Sequence, residues 1–177
     1  MVLVLTGPVH GGKTTYLGEA CRRWSSRGLT CAGFLSPSVT GADGQTGYDL
    51  VELPGPFRRP YLRRRGPAGA ERIGPFTFVP AALERAREIL RDPRPADLLV
   101  VDEVGPLELQ GGGLWPALQD ALRRPRSTVL LVVRDTITDD LAVAIAPLVP
   151  VFFDIRDPED LRLLDERMLV AAERRTS

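Results

Sequence analysis

The chain has 177 residues, 44% hydrophobic and 26% charged, which suits one globular domain with a sizeable core. Its 23 acidic and 23 basic side chains balance, so no global field recruits nucleic acid or an anionic membrane, and the partner is expected to be small and local. No apolar run reaches transmembrane length, no signal-type segment precedes the first strand, and Cys21 and Cys31 lack metal or disulfide-framework spacing, so they read as reduced, buried thiols of a cytoplasmic protein.

The first element is the apolar run Val2-Leu3-Val4-Leu5, a strand leading into Gly7-Pro8-Val9-His10-Gly11-Gly12-Lys13-Thr14. The string fits G-x-x-x-x-G-K-[ST], the phosphate-binding loop. Its glycines let backbone N–H groups turn toward an anion, its lysine reaches the β- and γ-phosphates, and its hydroxyl suits Mg²⁺. The candidate nucleotide-binding residues are Gly7, Pro8, Val9, His10, Gly11, Gly12, Lys13, Thr14 and Thr15. The N-terminal dipole of the next helix favours the same anion. Of the basic residues, 22 are arginine, and the one lysine is Lys13, which marks a place for a compact charge rather than a planar fork. His10, the lone histidine, reads as a bystander carrying a Cβ where glycine's freedom is often needed.

Thr14 to Arg27 reads as a helix with Leu17, Ala20, Cys21 and Trp24 on one stripe, closed by Gly28, and Leu29 to Leu35 reads as the second strand. Residues 37–40 and 46–53 flank Gly41-Ala42-Asp43-Gly44, which predicts a hairpin. Residues 54–77, rich in Pro, Gly and Arg, including Arg58-Arg59 and Arg63-Arg64-Arg65, show no sustained period and predict an irregular, partly mobile insertion. This insertion is a candidate phosphate-facing lid; without interleaved stacking aromatics it makes a poor nucleic-acid surface.

Phe78 to Arg91 follows as an amphipathic helix built on Val79, Ala82, Leu83, Ala86, Ile89 and Leu90, ended by Pro93 and Pro95. Leu98 to Glu103 is an apolar run closing on two acids, the signature of a strand buried on both faces. A helix from Leu114 to Leu122, a strand from Thr128 to Val133, a helix from Ile137 to Ala146 and a strand from Val149 to Ile155 complete the alternation. Asp157-Pro158 starts a last helix buried through Leu161, Leu164, Met168 and Ala171. The alternation predicts an α/β domain spanning residues 1–177, with a mostly parallel sheet and helices on both faces.

In such sheets ligands lie at the carboxyl ends of the strands, so the loop and the acids after Val101 are expected to meet. Asp102 is then the Walker B acid, holding Mg²⁺ beside the Thr14 hydroxyl, and Glu103 is free to orient or deprotonate a water attacking the γ-phosphorus. Arg134, at the end of a later strand, either stabilises transition-state charge together with Lys13 or pairs with Asp135 or Asp139. Glu108 is open to three roles: touching metal-bound water, holding an arginine, or facing solvent.

Gly7 to Thr15, Gly47-Tyr48-Asp49-Leu50-Val51 and Val101 to Leu109 together resemble the THEP-type nucleoside triphosphatases. The last string, similar to that family's D-E-[IV]-G-x-[ML]-E-L, is the specific part. The resemblance implies a three-layer P-loop NTPase fold with a RecA-like sheet, and Mg²⁺-dependent hydrolysis of ATP, GTP, CTP and UTP with loose base selectivity. Three departures stand out: His10 where the family usually has glycine, Ser36-Pro37-Ser38-Val39 where it tends to Thr-Glu-Glu-Val, and Val132-Val133-Arg134-Asp135 in place of a more neutral segment. Base choice can be read separately. The chain has no asparagine and no second lysine, so an N-K-x-D guanine reader is excluded. Two other activities remain open: phosphoryl transfer to a small acceptor under the insertion, and a nucleotide-switched module for a protein partner that the sequence does not identify.

Overall fold

The computed structural model describes residues 1–92, 94–124 and 128–176, with backbone only for 171–176. The expected helix stop at Pro93 and the buried Ala171 therefore lie outside the described residues or side chains.

Ten strands form one sheet. Its parallel half consists of β1 (Val2–Thr6), β2 (Cys31–Leu35), β8 (Leu98–Asp102), β9 (Thr128–Val132) and β10 (Val151–Asp154), in the spatial order β10-β1-β9-β8-β2. One strand, β9, thus separates the loop-bearing β1 from the acid-bearing β8, which is the RecA-like order. Successive residues of these strands face opposite layers: Val2 and Val4 enter one core while Leu3 and Leu5 enter the other, and Leu99 and Val101 alternate in the same way with Leu98 and Val100. This double burial explains why the strands read as continuous apolar runs.

Helices α2 (Pro80–Arg91), α4 (Trp115–Leu122) and α5 (Thr138–Ala144) cover the first face, and α1 (Lys13–Ser25) and α6 (Pro158–Thr176) the second. The stripe predicted for α1 is buried as expected, and Gly28 closes the turn after it at φ 91°. The predicted start of α2 moves, because Phe78 belongs to a strand and Val79 caps the helix. In α6 the Asp157 carboxylate accepts the Glu159 N–H at 2.9 Å, and Trp24 Nε1 donates to Asp165 at 2.8 Å, which ties α1 to α6. Among the described residues no helix is long and apolar enough to cross a membrane.

The antiparallel half contains β3 (Ser38–Gly41) and β4 (Gly44–Leu53), the predicted hairpin, followed by β5 (Arg58–Arg63), β6 (Arg72–Ile73) and β7 (Phe76–Phe78). Residues 54–77 are therefore not irregular; they extend the sheet in the order β4-β5-β7-β6. Four of their arginines are engaged by β4 and its surroundings. Arg58 and Arg63 both pair with Asp49, Arg59 pairs with Glu52 at 3.1 Å, and Arg64 lies 5.2 Å over the Phe76 ring. The side chains that suggested a lid thus hold strands together. The period was hidden because the strands are short, Pro60 interrupts β5, and the register shifts at Tyr48/Asp49.

Candidate active site

The loop between β1 and α1 carries three residues in left-handed backbone: Gly7 at φ 142°, His10 at φ 59° and Gly12 at φ 88°. Gly7 is confined from both sides, since a Cβ there would lie 2.4 Å from Ile155 Cγ2 as well as needing that backbone. Lys13 is buried, and its ammonium donates to the carbonyls of Gly7 at 2.8 Å and Pro8 at 2.7 Å. Burial holds its pKa below the usual lysine value, against the pull of Glu103, Asp102 and Asp135.

Asp102 closes β8 and is 2% exposed. Burial pushes its pKa up to about 6, while hydrogen bonds from the Ser36 N–H, at 3.0 Å, and the Thr14 hydroxyl favour the charged form. Ser36 Oγ also donates to the Asp102 carbonyl. The Ser36 contacts were not anticipated, although one signal was present: Ser36 follows the carboxyl end of β2, which pairs with β8, so it had to fall on the same rim.

Glu103 accepts a 2.9 Å hydrogen bond from Arg134 Nε. Of the two roles expected for Arg134, the surface pair with Asp135 or Asp139 is therefore replaced by a pair with the acid that follows β8. The segment after β9 is stitched to the loop, with Val133 N–H donating to Leu5 at 3.1 Å and Asp135 N–H to Gly7 at 3.3 Å. Asp135 itself pairs with Arg156 at 3.3 Å.

Glu108 neither faces solvent nor holds an arginine among the described residues. It lies in the short helix α3 (Pro106–Leu109), 2% exposed, and accepts the N–H of Gly105 at 3.0 Å and of Leu114 at 3.3 Å. Its two oxygens clamp both ends of the loop that leaves Glu103. Burial raises its pKa, against those hydrogen bonds.

A cavity of about 310 Å³ brings the two halves together. Val9, His10, Gly11, Gly12, Lys13, Thr14 and Thr15 line one side, and Ser36, Tyr48, Asp102 and Glu103 lie opposite. Gly7 and Pro8 stand behind, as the carbonyls that hold Lys13. Arg134 lines the adjoining cavity instead, which shares Glu103 as a wall. No cluster of three or more His, Cys, Asp or Glu occurs among the described residues. The hydroxyl and buried carboxylate of Thr14 and Asp102 are a hard, oxygen-only pair, which fits an ion that takes one or two protein oxygens and completes its shell with phosphates and water.

Residues 2–157 match the family described as NTPase. Over 143 residues the chain is 31% identical to nucleoside-triphosphatase THEP1 of Hyperthermus butylicus, covering 80% of this chain and 75% of the relative. Its fold is similar to the crystal structure of THEP1 from Aquifex aeolicus, with a TM-score of 0.65 and 22% identity over 98% of this chain and 99% of the other. It is also similar to the solution structure of a human cancer-related nucleoside triphosphatase, with a TM-score of 0.69 and 23% identity over 95% of both chains. The chain belongs to the NTPase family, among its THEP-type nucleoside triphosphatases.

Proposed function

We propose that this protein hydrolyses nucleoside triphosphates to nucleoside diphosphate and phosphate, with Mg²⁺ and with little preference for the base. The observation that carries this reading is the meeting of Lys13, Thr14, the buried Asp102 and Glu103 around one cavity. The names borne by relatives in the family support it.

Backbone N–H groups between Val9 and Thr15, which line the cavity, and the Lys13 ammonium hold the β- and γ-phosphates. Thr14 and Asp102 would hold Mg²⁺, which supplies charge neutralisation on the phosphate oxygens when bound. Glu103 takes the proton of the attacking water. Arg134 keeps Glu103 in place through its Nε, and its terminal nitrogens make no hydrogen bond among the described residues, so they remain available to the charge that develops on the transferred group. The absence of an N-K-x-D reader from the sequence supports loose base selection. Free, buried Cys21 and Cys31 suit a reducing compartment, consistent with the cytoplasm.

The test is phosphate release from ATP, GTP, CTP and UTP by wild type and Glu103→Gln. The substitution keeps size and shape and removes the proton acceptor, and a loss of about 10²- to 10⁴-fold in turnover is expected with nucleotide binding retained. Unchanged turnover would remove Glu103 from the reaction.

A further inference from the structure

A second cavity, also about 310 Å³, adjoins the phosphate pocket and shares Ser36, Tyr48 and Glu103 with it. Its body is aromatic and aliphatic, and most of that wall comes from β5 to β7: Tyr61, Leu62, Ile73, Phe76 and Phe78. The rings are fixed edge to face, Tyr48 against Phe76 at 5.4 Å and 78°, and Tyr61 against Phe78 at 5.2 Å and 69°. Polar groups gather at the end that meets the phosphate pocket, where Glu103 and Arg134 stand. Glu108 also reaches the cavity, clamped by backbone amides, but Glu103 is the carboxylate that lines both this cavity and the phosphate pocket. Tyr61 is 3% exposed and lines the cavity, and its hydroxyl makes no hydrogen bond among the described residues.

We infer that this cavity is an acceptor site, and that the protein transfers the γ-phosphoryl group to a small planar aromatic alcohol bound there. The inference rests on the reading of Glu103 as the proton acceptor in the proposed hydrolysis. In-line displacement places the nucleophile opposite the leaving diphosphate. Lys13, Thr14 and Asp102 line only the phosphate pocket, while Tyr61, Phe76 and Arg134 line only the second cavity, so Glu103 divides a donor side from an attacking side. Water needs no aromatic chamber on the attacking side, whereas a planar ring does, and the volume is at the lower end of small-ligand pockets. A hydroxyl suits the shared carboxylate, which would repel an anionic acceptor.

In the step, the acceptor oxygen bonds to the γ-phosphorus. The bond from that phosphorus to the β–γ bridging oxygen breaks, and its electron pair leaves with the nucleoside diphosphate. The hydroxyl proton passes to Glu103 and then to solvent, giving a phosphate monoester and nucleoside diphosphate. Hydrolysis is the same step with water in the acceptor's place.

The full chain is incubated with Mg²⁺, γ-labelled ATP and, in separate reactions, benzyl alcohol, 3-pyridinemethanol and the four ribonucleosides at millimolar concentration, and labelled ester is separated from inorganic phosphate. Ester from at least one probe is expected. Ile73→Trp, at a residue that lines only the second cavity, should lower ester formation by about tenfold or more and leave hydrolysis within about twofold. Ile73→Phe repeats the test with a smaller filler if the tryptophan variant is not folded by circular dichroism. Hydrolysis with no ester from any probe overturns the acceptor site and leaves the proposed hydrolysis standing. A folded Ile73 variant that raises the KM for ATP also overturns it, by placing the nucleobase in this cavity. No hydrolysis by wild type refutes the proposed function, and the acceptor site falls with it.

Discussion

His10→Gly isolates the one non-glycine residue in left-handed backbone among the described residues, at φ 59°. An L-residue in that region costs about 1–2 kcal/mol, with histidine toward the lower end because it is among the residues enriched there. Glycine removes that cost but gives the unfolded chain more freedom, a loss of about 0.5–1 kcal/mol. The His10 side chain is exposed and makes no hydrogen bond among the described residues, so little packing is lost with it. A net gain of up to about 0.5 kcal/mol remains, which for a domain of this size raises Tm by at most about 2 °C. Calorimetry on the nucleotide-free protein reads the gain, and phosphate release on the same preparations reads turnover. His10→Ala is the control: it removes the imidazole and keeps the Cβ, so it should show no stabilisation and turnover within about twofold of wild type if the ring is a bystander. A fall in Tm for His10→Gly, or an equal rise for His10→Ala, would refute the argument from backbone strain. A drop in turnover for both would give the imidazole a part in the reaction.

Three further outcomes follow from contacts at and around the site. Glu108→Gln places an amide NH₂ against one of the two N–H donors that the carboxylate now accepts, and should cost about 1–3 kcal/mol in chemical denaturation. Lys13→Arg should cost about 10²–10³ in turnover, because a fork cannot repeat a point charge held by two carbonyls 2.7 and 2.8 Å away. Glu52→Gln tests pH linkage: hydrogen bonds from Arg85 hold the Glu52 carboxyl below its usual range against the cost of burial, so its contribution is present above the unfolded pKa and is lost as pH falls through the folded one. Wild type should exceed the variant by about 1–3 kcal/mol at pH 7, with the difference closing below about pH 4.

What the sequence made legible was what local rules determine. Val2 to Leu5 and Leu98 to Val101 are buried on both faces, so each read as a strand without any periodicity, and Gly7 to Thr14 carries its chemistry in fixed spacing. Asp102 could be placed beside Thr14 because strand ends share a rim. What escaped depends on partners distant in the chain. Glu108 was open to three roles, and what it binds in the fold, the amides of Gly105 and Leu114, is set by the path of the chain around it. In β5 only Tyr61 and Leu62 are buried, too few to display a period of two, and the arginines around them find their carboxylates on β4 and at the end of it. Ser36 carried no motif, and its role exists only because β2 pairs with β8.

The distribution of positive charge joins the fold to the chemistry. A chain that uses arginine everywhere but one place can pair each planar fork with a carboxylate, as Arg58 and Arg63 do with Asp49 and as Arg59 and Arg85 do with Glu52. Those pairs fasten β5 to β4 and α2 to β4, and so hold the strands whose aromatic side chains form the second cavity. Charges committed in this way are poor candidates for an anion, because leaving Asp49, 9% exposed, or Glu52, 8% exposed, would strand a buried carboxylate. Lys13 is the opposite case: its neighbours are two neutral carbonyls that it can exchange for phosphate oxygens without leaving a bare charge behind. Arg134 lies between these cases, with one nitrogen on Glu103 and the rest uncommitted, on the second cavity beside the wall that Glu103 shares with the phosphate pocket. Arg58, Arg59 and Arg63 are thereby withdrawn from the phosphate, whereas Lys13 on the phosphate pocket and Arg134 beside Glu103 carry donors that can turn to it.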